Sequence, residues 1–344
     1  MVGYIVTISI LAGLFTFYMG YVDGTSAIAS SIATNALKPR SALITSALSM
    51  FVAPIIIVLL MKSDSVARTV GSLIYTDSYL TINQTQGFIF LLSAMLGALI
   101  WAVISTILSV PNSVSHILLG GIVGAGIAMF GINAVDWNSV GIKVILMVFL
   151  APILGIIVGY LMQLLFVFIC QSWPRAMKKG FKVMQRINVV LLSISIAANN
   201  IQKSLGIYLL AAVLCSNNAV SFDTYQFSWW IIIVFSVLQC LGLFFGGEKL
   251  ISMVGYKIHR LSNVQSFVAQ LSTLIISFFA TFLGLPIATT QVVSSTIMGV
   301  GAAENFTSVR WIRAKKIFIS WIITFPASLL LGYVICIVLK AILI

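Results

Sequence analysis

Charge is scarce in this chain. Only 8% of its 344 residues are Asp, Glu, Lys or Arg, against roughly 25% in a soluble domain, which excludes a water-soluble globular protein. Acids are scarcer still, seven against nineteen Lys and Arg. With only two histidines, there is little material for an acid–base enzyme, and no catalytic set is assigned. The four cysteines, Cys170, Cys215, Cys240 and Cys336, stand singly in apolar runs. That excludes a disulfide framework and a thiolate metal site. A Gly-rich phosphate loop ending in Lys-Ser or Lys-Thr is missing, and the loops leave no room for a soluble domain, so ATP hydrolysis in this chain is not expected. The first residues lack a basic leader, so no cleavable signal peptide is expected.

What is present is apolar. Hydrophobic residues make up 60% of the chain, and several runs exceed the roughly 20 residues that cross a bilayer. The expectation is an all-α polytopic membrane protein. Two short polar runs interrupt it, Leu108 to His116 and Leu283 to Gln291. Each follows a long apolar helix pattern and precedes a helix of small residues. Pro111 and Pro286 are 175 positions apart, and so are Gly124 and Gly299, and Gly126 and Gly301. A constant offset marks one unit written twice. Proline stops a helix, and non-helical backbone at membrane depth is tolerated only where it is buried or lines a cavity. Each run therefore reads as the tip of a re-entrant hairpin, where free N–H groups, hydroxyls and a helix N-terminus offer a site for an anion.

The remaining segments give each half three crossings and one hairpin: repeat 1 over residues 1–172, a basic cytoplasmic linker over 173–186, and repeat 2 over 187–344. An odd number of crossings inverts the second half relative to the first, the plan of secondary transporters. Each half opens with a helix expected to break, near Gly20 to Ser26 and near Ala198 to Lys203. The loops at 62–85 and 247–262 read as polar. With the N-terminus outside, fourteen of the nineteen basic residues fall in inside loops, as the positive-inside rule requires. The net charge of +12 is thus a topology signal, and nucleic acid is not among the expected partners. N- and C-termini both fall outside a plasma membrane, for which a prokaryotic inner membrane is expected.

Asp23 is the one acid inside a predicted span, and an ionisable group at that depth is functional by default. Between Gly20 and Gly24, its carboxylate and freed carbonyls could bind a small cation or a proton; the alternative is a lone neutral Asp bonded to a neighbouring helix. Asn199, Asn200, Gln202 and Lys203 occupy the corresponding place in the second half, where amides either ligate ions or join helices. Lys203 could neutralise an anion or pair with Asp23. Ser113, Ser115, Thr289 and Thr290 supply tip hydroxyls for a tetrahedral oxyanion, or merely cap the helices that follow. His116 follows the first tip and is either a proton relay or structural. His259 and Glu304 read as solvated groups of the inside surface.

These stretches resemble the inorganic phosphate transporter (PiT) family. The resemblance rests on Met19-Gly20-Tyr21-Val22-Asp23-Gly24-Thr25-Ser26, on Ala198-Asn199-Asn200-Ile201-Gln202-Lys203, on both Pro-centred tips, on Gly246-Gly247 to Gly255, and on Met298 through Trp311. Against the family pattern, Asn200 stands for an Asp, Met19 and Ser26 for Asn, Met50 for a Glu, and Gln291 for a His. The resemblance implies anion contacts at Ser113, Ser115, Thr289, Thr290 and Gln202, and cation contacts at Asp23, Ser26, Asn199 and Asn200, with no metal beyond Na+ and no cofactor. The function implied is import of inorganic phosphate by symport with Na+ or H+ and alternating access. A sulfate or other tetrahedral-oxyanion permease of the same fold is the alternative. The remaining partners are membrane lipid and, as an open option, further copies of the chain in a homo-oligomer.

Overall fold

The computed structural model describes residues 2–56, 65–74, 83–108, 112–171, 180–215, 226–246 and 258–343. Its elements follow the apolar runs. The first half holds α1 (Val2–Met19), α2 (Thr25–Ala33), α3 (Pro39–Pro54), α4 (Ser65–Gly71), α5 (Gln84–Ile107), α6 (Val114–Phe130), the short α7 (Trp137–Val140) and α8 (Leu146–Cys170). The second holds α9 (Gly180–Leu214), α10 (Trp229–Phe244), α11 (Asn263–Phe282), α12 (Thr289–Glu304) and α13 (Trp311–Leu343). Strands are absent among the described residues; one antiparallel bridge joins Ile74 and Val135. Six helical runs are long and apolar enough to span a membrane: α1 with α2, α5, α8, α9, α11 and α13. The chain is a multi-pass membrane protein.

The packing comes in pairs that exchange the halves. Helix α1 packs on α10, and α9 packs on α3; α6 packs on α13, and α12 on α8; α5 packs on α13, and α11 on α8. The second hairpin arms, α6 and α12, are buried along most of their length. The outer helix α8 turns Phe149, Ile153, Leu161 and Phe168 outward, as a lipid-facing surface requires. Polar pairs tie helices within the apolar core, Thr16 to Ser204 at 2.6 Å and Ser46 to Ser193 at 2.7 Å. Such pairs hold where water cannot compete.

Three expectations change. The first helix of the first half is interrupted by a π-helical turn, Gly20–Gly24, but α9 runs unbroken through Asn199 to Lys203. No Gly or Pro lies between Phe181 and Leu205, so nothing in the backbone opens that helix; its polar side chains leave sideways. The polar loop 62–85 contains α4, which packs against α9. The basic linker is helical from Gly180 onward, because the apolar period of α9 extends into it; residues 173–179, with Trp173, lie outside the described residues, as does Pro111.

The second tip shows how a hairpin is stopped. Gly284 takes φ +68°, the left-handed conformation that ends helices. Leu285 N–H donates to Ala280 O at 2.8 Å and Gly284 N–H to Thr281 O at 3.2 Å, the paired bonds of a Schellman stop. Pro286 cannot resume the helix, and α12 begins three residues later at Thr289.

Candidate functional site

The two hairpin tips meet inside the protein and bind each other. Ser115 Oγ donates to Ile287 O at 2.7 Å, and Thr290 Oγ1 donates to Asn112 O at 2.9 Å. Positions 115 and 290, and positions 112 and 287, are each 175 apart. One contact is thus made twice with the halves exchanged. Both helices that start here, α6 and α12, aim their N-terminal N–H groups into this junction. At α12 the residue before the helix is Ala288, whose side chain makes no cap; Gln291 N–H turns to Ala288 O at 3.0 Å, and the Thr290 N–H faces Asp23. At α6, Ser113 Oγ accepts from His116 N–H at 3.3 Å.

Helix α9 passes beside the junction. Lys203 is fully buried; its ammonium donates to Asn200 Oδ1 at 3.0 Å and to Ile287 O at 3.1 Å. Asn199 Nδ2 donates to Thr281 Oγ1 and Leu285 O, both at 3.2 Å. Gln202 Oε1 accepts from Val66 N–H at 2.9 Å, which is the work of α4. From the opposite side the π-helical turn presents Asp23, 1% exposed. Asn200 and the Thr290 N–H face its carboxylate, with Lys203 nearby. Ser26 Oγ donates to Val22 O at 2.9 Å, within that turn. The turn starts at Gly20, which lies directly against α10; a Cβ there would come within 1.9 Å of Gln239 O.

Many polar atoms at this centre are buried and unpartnered: both oxygens of Asp23, Asn199 Oδ1, Asn200 Nδ2, Gln202 Nε2, Thr289 Oγ1 and both amide atoms of Gln291. Each such group costs about 1–3 kcal/mol when left without a partner. Carboxylate and amide oxygens suit a small cation. Amide N–H groups, a hydroxyl, helix N-termini and an ammonium suit an oxyanion. His116 is buried with Nδ1 unpartnered. It sits in the first turn of α6, close enough to the buried Lys203 for the two to interact electrostatically, with no direct hydrogen bond from its ring to Asp23 or Lys203 among the described residues.

All nine expected contact residues are therefore buried around one junction. Their hydroxyls divide: Ser113 caps α6, Ser115 and Thr290 clasp the tips, and Thr289 is unpartnered. Sequence reasoning missed three residues. Asn112 donates from Nδ2 to the Tyr18 hydroxyl at 2.7 Å and to Ser105 Oγ, and its carbonyl receives Thr290. Gln291 was noted only as a departure from a family pattern, and the fully buried Gln239 of α10, also unpartnered at both amide atoms, was not singled out. An uncharged amide within an apolar helix is the signal that would have found it. His259 is 6% exposed rather than solvated, because Gly301 of α12 leaves room for its ring; Glu304 is exposed.

Thr290→Val removes the bond to Asn112 O and leaves that carbonyl unpaired in the core. The expected loss is about 1–3 kcal/mol, read as a lower melting temperature of the purified protein in detergent. An unchanged melting temperature would mean the clasp is not a stabilising contact.

The model of the phosphate transporter family matches residues 19–180 and 171–332. A protein of Bacillus subtilis (strain 168), named a probable low-affinity inorganic phosphate transporter, is 34% identical over 328 residues, 95% of this chain and 94% of its own length. A protein of Rhizobium meliloti (strain 1021) with the same name is 32% identical over 324 residues, 94% of this chain and 92% of its own. A solved structure titled the sodium-dependent phosphate transporter superposes with a TM-score of 0.86 at 22% identity, covering 99% of this chain and 100% of that one. Family match and relatives agree over nearly the whole length, and with them the chain belongs to the phosphate transporter family.

Proposed function

We propose that this protein imports inorganic phosphate across a prokaryotic plasma membrane by symport with Na+ or H+, through alternating access of two inverted repeats, residues 1–172 and 187–344. The relatives' names supply the anion. The observation that carries the reading is the junction itself, where two re-entrant tips, two helix N-termini and a buried lysine converge on one point. A tetrahedral oxyanion offers acceptors in every direction and takes donors from all of these at once. Asp23, Ser26, Asn199 and Asn200 surround the coupling cation; Thr289, Thr290, Gln202, Ser113 and Ser115 line or hold the anion's place. The exchange of halves in the packing supports a two-fold inverted plan, and rocking of one repeat against the other would carry the junction from one side to the other. The excess of basic residues on one set of loops supports termini outside.

The test is labelled phosphate uptake into proteoliposomes under an imposed Na+ or proton gradient, with excess unlabelled sulfate. Concentrative uptake that sulfate leaves intact is expected, and the effective gradient names the cation. Accumulation of labelled sulfate in place of phosphate would overturn the choice of anion. Uptake that never exceeds equilibrium would overturn symport.

Thr289→Val removes the one tip hydroxyl that, among the described residues, has no protein partner. Because that hydroxyl is not engaged in the fold, phosphate affinity is expected to fall by about tenfold to a hundredfold, one hydrogen bond to a charged group being worth roughly 1.5–3 kcal/mol, while the melting temperature of the anion-free protein stays the same or rises. Wild-type affinity would remove Thr289 from the anion's contacts.

A further inference from the structure

Among the described residues the buried core holds one acid, Asp23, and one strong base, Lys203. They make no direct ion pair. Asn200 stands between them: its Oδ1 accepts from the Lys203 ammonium at 3.0 Å, and its side chain faces the Asp23 carboxylate. The other bond of Lys203 is to Ile287 O, at 3.1 Å, the same tip carbonyl that Ser115 holds. The single positive charge of the core is therefore parked on the anion tip, one amide away from the single negative charge.

In a low-dielectric interior an uncompensated charge is costly. With Asp23 charged, Lys203 is compensated, and an added anion would leave the core net negative. With Na+ on Asp23, Lys203 is left unbalanced and an oxyanion beside it restores neutrality. We propose that Lys203 is the countercharge of the transported anion, and that Asp23 masks it through Asn200 until the coupling cation binds. This rests on the transport reading above and supplies what that reading lacks, a physical reason why one ion needs the other. By linkage the effect is reciprocal: the anion raises the affinity for the cation by the same factor.

The test is equilibrium binding of labelled phosphate to the purified full-length protein over a Na+ series at fixed pH. Wild type should bind phosphate at least about tenfold more tightly with cation than without, within the usual range of coupling between sites. Asp23→Asn should bind phosphate at the cation-loaded affinity whether or not cation is present. Lys203→Met should lose phosphate binding under both conditions, and Lys203→Arg, which keeps the charge, should retain it. Asn200→Asp adds an acid beside the ammonium and should steepen the cation requirement. The proposal falls if Asp23→Asn keeps the wild-type cation dependence, or if Lys203→Met binds phosphate as wild type does. A purely structural lysine would change stability without removing the cation dependence. Should Lys203→Met fail to fold, Asp23→Asn and Asn200→Asp decide the matter. If wild type binds labelled sulfate and not phosphate, the choice of anion fails, and the same variants read with sulfate still decide the charge coupling. If neither anion binds, both readings fall.

Discussion

Asp23→Ala is expected to abolish concentrative anion uptake. The reason begins with the backbone. Gly20 lets the chain lie against α10, where a Cβ would come within 1.9 Å of Gln239 O, and the helix widens there into a π-turn that carries Asp23 into the core. A widened turn at a buried acid is a costly local arrangement, of the kind found at functional sites. No geometric hydrogen bond closes on either carboxylate oxygen; Asn200 and the Thr290 N–H face it, while Ser26 and Thr25 donate to the carbonyls of Val22 and Tyr21. On the proposed reading this carboxylate is what the coupling cation meets. Removing one partner of a buried charged contact costs about 3–5 kcal/mol, which is a hundredfold or more in ion affinity. Labelled phosphate uptake driven by Na+ and by a proton gradient checks this. Uptake and ion dependence both equal to wild type would remove Asp23 from the cation site.

The same turn shows how far a sequence can be read. Gly20, Asp23 and Gly24 announced an interrupted helix because glycine acts on the backbone itself. Asn199 to Lys203 suggested a second interruption and did not make one. Polarity says that a side chain has a partner; it does not say that the helix carrying it opens. The offset of 175 positions located both tips, but the clasp of Ser115 on Ile287 and of Thr290 on Asn112 is a long-range pairing that no local pattern contains. Hydroxyls at a helix start look alike whether they cap the helix, as Ser113 does, or reach another tip. His259 read as solvated because Lys257 and Arg260 flank it. What buries it is Gly301, more than forty positions away, where the absent side chain makes the space. Segment 62–85 read as loop because it is polar, yet α4 within it supplies the Val66 N–H that orients Gln202.

Gly124→Leu and Gly299→Leu are expected to prevent accumulation of folded protein. These two glycines are 175 positions apart and do the same work in opposite halves. A Cβ at Gly124 would lie 1.9 Å from Leu329 O of α13, and one at Gly299 would lie 2.2 Å from Ile156 O of α8. Each hairpin's second arm thus docks backbone to backbone on the closing helix of the other half, the close approach that small residues permit between membrane helices. The acceptor in each case is a helix carbonyl, which cannot swing aside as a side-chain end can. Overpacking usually costs about 1–3 kcal/mol and more where the backbone must move, and a domain holds only about 5–15 kcal/mol in total. The loss also reaches the site, because α6 and α12 carry the tip residues at their first turns; displacing either helix pulls Ser115 or Thr290 off its carbonyl. Gly141→Ala is the control, since nothing lies within 4 Å of a Cβ there. Size-exclusion profiles of detergent-solubilised protein should show a sharp wild-type-like peak for Gly141→Ala and little or none for the other two. A wild-type melting temperature in Gly124→Leu would show that the arm and the closing helix are not locked together, and the symmetric docking of the two hairpins would have to be abandoned.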